Sequence, residues 1–94
     1  MTKKQLESTK WAKEFKKDCP SCYEEAIKFA LDQYQCFNIY HNTELGVPMW
    51  SIAAIVLPSS TNDNFWMASF EVQRDAAALC EKMGWKYSIA HRRR

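Results

Sequence analysis

The chain has 94 residues, a net charge of +2 and a 47% hydrophobic content that includes thirteen aromatic side chains. That length suits one domain with a core of its own, burying about two thirds of its unfolded surface, and the composition argues against disorder along the middle of the chain. No apolar run approaches the ~20 residues of a membrane helix, and no apolar stretch follows the basic residues of MTKKQLESTK, so the expected setting is the cytosol, without a signal peptide or membrane partner.

Thr2 and Gln5 have the spacing of a capping box, which predicts a helix from there to about Lys17. Only Leu6, Trp11, Ala12 and Phe15 give it an apolar side, so residues 1–17 are expected to be loosely docked. Asp18-Cys19-Pro20-Ser21 ends this helix. Ser21 and Glu24 repeat the capping-box spacing, and a second helix is predicted to about Tyr34, with Tyr23, Ile27, Ala30 and Tyr34 as its stripe.

Cys36–Asn42 alternates as a strand, Thr43–Pro48 holds the glycine and proline of a turn, and Met49–Leu57 is apolar on both faces like a central strand. A polar loop, residues 58–64, leads to a third strand on which Trp66, Ala68, Phe70 and Val72 alternate. The period turns helical from Gln73, with Ala76, Leu79, Cys80 and Met83 on one stripe and Gly84 where a left-handed residue closes a helix. Trp85, Tyr87 and Ile89 resume the alternation. The fold class is α+β: two N-terminal helices, then βββαβ, a mainly antiparallel sheet with helices packed on one face. The edge that receives the last strand is left open.

Charge is distributed unevenly. Residues 1–17 carry six lysines against two glutamates, residues 18–44 one lysine against five acids, and the chain ends in Arg92-Arg93-Arg94. Residues 91–94 are expected to form a disordered basic tail. With Lys86 and the lysine-rich first helix, these arginines are candidate phosphate contacts, and Tyr40, Trp50 and Tyr87 are candidate stacking platforms, so nucleic acid is the alternative partner.

Cys19-Pro20-Ser21-Cys22 has redox spacing at a helix start, but charged, helical residues precede it where a thioredoxin-like site has a buried strand. Cys19 and Cys22 are also the low-ranked candidates for zinc, with Cys36, His41, Cys80 or His91 completing a tetrahedral site. No second closely spaced pair accompanies them, and free thiols are the better default, so no cofactor is expected. Neither histidine is placed with a nucleophile, and two glycines make no phosphate cradle. No enzyme is expected.

The aromatic surplus points to a protein partner or a homodimer. Tyr40, Trp50, Ile52 and Val56 form one set of strand side chains and Met49, Ile55, Phe65 and Met67 another, more than one short chain is expected to bury. Residues 65–87, FWMASFEVQRDAAALCEKMGWKY, resemble a strand-helix unit of small bacteriophage and prophage proteins. An aromatic strand there leads through F-x-(T/V)-x-x-x-A into a short helix that leaves by (M/A)-G-(W/F). The matching residues are Phe70, Val72, Ala76, Met83, Gly84 and Trp85. Proteins of this style include anti-CRISPR and anti-restriction inhibitors. The resemblance implies a stoichiometric, non-catalytic binder of a host defence protein; it implies no site residue, and the charge departs from that of acidic DNA mimics.

Overall fold

A computed structural model describes residues 2–42, 49–55 and 64–89. The chain is α+β, and its contacts divide into two compact units, Met1–Gln33 and Tyr34–Arg94.

The first unit is helical, and its opening differs from the expected single helix. The Thr2 capping box forms: Gln5 donates its backbone N–H to Thr2 Oγ1 at 3.1 Å, and Thr2 N–H donates to Gln5 Oε1 at 2.9 Å. The helix it starts, α1 (Lys3–Glu7), is short, and a second, α2 (Lys10–Asp18), follows. Hydroxyl groups make the break. Ser8 Oγ donates to the carbonyl of Gln5 at 2.7 Å and Thr9 Oγ1 to that of Leu6 at 2.6 Å. Thr9 Oγ1 also accepts the N–H of Ala12 at 3.2 Å, so Thr9 caps α2. Side-chain bonds of this kind compete with helix continuation, and a strong N-cap resolves the competition.

Leu6, Trp11, Ala12 and Phe15 are buried, with the Trp11 and Phe15 rings 5.6 Å apart on one face of α2. A 3₁₀ turn, Pro20–Cys22, leads into α3 (Tyr23–Leu31), which buries Tyr23, Ala26 and Ile27. Two further expectations are corrected here. Ser21 lies inside the 3₁₀ turn and makes no capping bond to α3, and the helix stops where Asp32 takes an extended backbone, leaving Tyr34 78% exposed.

The second unit is a four-stranded sheet of order β3-β2-β1-β4, with β1 Cys36–Asn42, β2 Met49–Ile55, β3 Asn64–Phe70 and β4 Lys86–Ile89. The meander β1-β2-β3 is antiparallel as expected, and β4 is parallel to β1. Reaching that position takes a crossover, supplied by α4 (Gln73–Met83). The register places Phe37, Ile39, Ile52 and Ala54 on one face, and all four are buried. α4 covers this face with Ala76, Cys80 and Met83.

Gly84 closes α4 at φ +75°, so that Trp85 N–H reaches the carbonyl of Cys80 at 2.9 Å and Gly84 N–H that of Glu81 at 3.3 Å. Trp85 then stacks on Phe37, ring centres 4.7 Å apart.

β3 departs from the even alternation. Ile52 pairs with Ala68 and Ala53 with Trp66, so Met67 is the extra residue of a bulge and is 1% exposed. The strand ends at Phe70, and Val72 lies outside it, 46% exposed. On the face opposite α4, buried Ser51 shares a 2.8 Å hydrogen bond with Ser69, whose Oγ also accepts the indole N–H of Trp66 at 2.8 Å. Among the described residues no buried side-chain nitrogen or oxygen lacks a partner.

Two substitutions test the punctuation. Thr9→Ala removes the α2 cap and is expected to cost about 1 kcal/mol. In Gly84→Ala the new Cβ meets nothing within 4 Å, so only left-handed strain, about 1 kcal/mol, is expected, with Gly84→Asn milder. Urea denaturation followed by tryptophan fluorescence measures both; an unchanged midpoint for Gly84→Ala would contradict the turn.

Candidate functional site

Pairing partners equidistant from the middle of Thr43–Pro48 puts His41 opposite Trp50 and Tyr40 opposite Ser51. Trp50 in turn faces Phe70 on β3. His41, Trp50 and Phe70 therefore form a cross-strand row on the α4 side of the sheet, at the end where β1 and β3 finish and β2 begins. The His41 and Trp50 rings are 4.9 Å apart and inclined at 40°. All three side chains are half-buried. The row is a continuous, partly exposed aromatic surface across three strands.

The sequence-derived candidates do not gather on one face. Trp50 and Tyr87 lie on the α4 side, and Tyr40 and Lys86 on the other. The expected set of Tyr40 with Trp50 and Ile52 is thus divided, because Tyr40 pairs with Ser51 and side chains alternate strictly along β1 and β2. Phe65 pairs with Ala54 and so joins the Trp50 face rather than that of Ile55. Arg92, Arg93, Arg94, His91 and Val56 lie outside the described residues.

Tyr87 is engaged within the chain. Its hydroxyl donates to Glu81 Oε2 at 2.7 Å, tying β4 to the last turn of α4. This bond to a carboxylate, with desolvation as the smaller cause, pushes the Tyr87 pKa above its ordinary value. Lys86 is exposed beside Cys36 at the start of β4. Tyr40 is half-buried.

The lysines of α2 form a second surface. Lys10, Lys13, Lys16 and Lys17 are all exposed. Lys10 approaches Glu14 at 4.0 Å, and Lys16 Nζ stands 5.5 Å from the ring centre of Tyr23. For metal binding, no group of three or more His, Cys, Asp or Glu side chains comes together among the described residues. No helix among them is long and apolar enough to cross a membrane.

The sequence marked Trp50 as a partner-binding candidate but not its neighbours: His41 stood only as a possible zinc ligand and Phe70 only in the resemblance. The signal for His41 was the turn position, which sets the register once the hairpin is granted. Phe70 carried no such signal, since the bulge at Met67 offsets its pairing by one residue from the register at the start of β3. Comparison with family models, with curated proteins and with solved structures gives no match to this chain.

The tyrosines offer a pH test. The Tyr23 pKa is also raised, by burial first and by Glu7 and Glu24 after it. A phenol whose folded pKa exceeds its unfolded value stabilises the fold fully below the unfolded value, and that contribution is lost as pH rises through the folded one. Alkaline titration at 295 nm is expected to show late-ionising tyrosine that Tyr87→Phe reduces, with stability falling above about pH 10. An identical titration of the variant, apart from one fewer ordinary phenol, would refute the Glu81 tether.

Proposed function

We propose that this protein is a small non-catalytic binder, of the type encoded by bacteriophages and prophages, that attaches to a host protein in the bacterial cytoplasm and blocks it. The observation that supports this reading most is the row His41–Trp50–Phe70, three rings left half-exposed across three strands. Aromatic side chains bury a large area for few rotatable bonds, which is why they anchor protein interfaces. The phage origin and the defence-protein target rest on the resemblance of residues 65–87.

The alternative is a nucleic-acid-binding accessory protein, favoured by the four exposed lysines along α2. Such a surface would bind phosphates without sequence preference and with steep salt dependence, and the Arg92–Arg94 tail would add to it.

A tagged chain incubated with bacterial lysate, with and without nuclease, separates the two. The protein reading expects one stoichiometric partner that survives nuclease and binds Trp50→Ala at least about tenfold more weakly, a loss of about 1.4 kcal/mol. Circular dichroism checks that the variant is folded, and Tyr40→Ala, on the opposite face, is expected to bind as the parent does. Undiminished binding by Trp50→Ala would exclude the row. Capture that nuclease abolishes would make nucleic acid the partner.

A further inference from the structure

We propose that Cys19 and Cys22 form a thiol–disulfide exchange site that closes on itself to an intramolecular disulfide. The two cysteines bracket the 3₁₀ turn between α2 and α3, and Cys22 N–H donates to the Cys19 carbonyl at 3.0 Å. A turn closed this way holds its end Cα atoms within about 7 Å, the range that a disulfide spans. Both cysteines are partly exposed, so a small reagent has access.

The surroundings divide the roles. Cys22 is the N-cap residue of the nine-residue helix α3, the end at which a helix favours negative charge, although its side chain makes no capping bond. Ser21 Oγ lies 3.9 Å from Cys22 Sγ. The Cys19 thiol hydrogen-bonds to Cys22, and this bond, ahead of desolvation, pushes the Cys19 pKa up. Cys22 is accordingly the attacking thiol and Cys19 the resolving one.

The oxidant is a low-molecular-weight disulfide, RSSR. The Cys22 thiolate attacks one of its sulfurs, the S–S bond breaks, and RS⁻ leaves with the electron pair. Cys19 then gives up its proton and attacks the Cys22 sulfur of the mixed disulfide, releasing the second RS⁻. The two leaving thiolates take up the two protons. Two protein thiols are oxidised and one disulfide is reduced to two RSH.

The other cysteines serve as internal controls. Cys36 is exposed at the start of β1, while burial, with a smaller contribution from Glu81, pushes the Cys80 thiol up to about 12. Trypsin places Cys19 and Cys22 together on the peptide from Asp18 to Lys28, apart from Cys36 and Cys80.

The test incubates the full chain with glutathione disulfide and glutathione at rising ratio, alkylates it, and maps it by mass spectrometry. The expected result is loss of two hydrogens in the 18–28 peptide, reversed by dithiothreitol, with Cys80 still a free thiol. Cys19→Ser should accumulate a stable glutathione adduct on Cys22, and Cys22→Ser should form its adduct on Cys19 about tenfold more slowly. Full alkylation of both cysteines in pure glutathione disulfide would overturn the proposal, as would adducts confined to Cys36. Equal adduct rates in the two variants would overturn the division of roles.

Discussion

The second unit depends on the apolar face that β1 and β2 share, centred on Ile39 opposite Ile52, both without solvent exposure. A face so apolar needs a cover, and α4 provides it with Ala76, Cys80 and Met83. From the end of β3 the chain crosses this face through α4, and β4 arrives parallel to β1, at the β1 edge of the meander. Gly84 makes the return tight enough for Trp85 to stack on Phe37. One buried surface and one left-handed residue thus account for the placement of α4 and for the tight return into β4.

The same geometry produces the candidate binding surface. α4 starts three residues after Phe70, and the row His41–Trp50–Phe70 lies at that end of the sheet, only partly covered. Tyr87, at the other end of the covered face, is held by Glu81. Aromatic content alone would rank these residues together; register and hydrogen bonding separate them. In the helical unit, exposed lysines on α2 and a cysteine-bracketed turn supply chemistry of other kinds.

Much of the fold was legible in the sequence. Period two in Cys36–Asn42, the short run apolar on both faces from Met49, the change to helical period at Gln73 and the glycine at 84 each report a local backbone preference. The misreadings came where local signals compete. Ser8 and Thr9 can sit within a helix or cap a new one, and their bonds to Gln5, Leu6 and Ala12 break the expected helix in two. Ser21 and Glu24 have capping-box spacing, but Pro20 starts a 3₁₀ turn that carries Ser21 past the cap position. Of the site, Trp50 was visible as a surplus aromatic, whereas its neighbours across the sheet were not.

The sequence by itself determined the class of the protein, its strands, the α4 helix and the turn that closes it, because these rest on side-chain periodicity and on the φ that only glycine adopts readily. Only the tertiary structure decided that β4 lies against β1, that Met67 bulges out of register and that Tyr40 and Trp50 face opposite ways. Those outcomes depend on pairing between residues far apart in the chain. A shift of one residue in such pairing reverses every face, and no local pattern records which register wins.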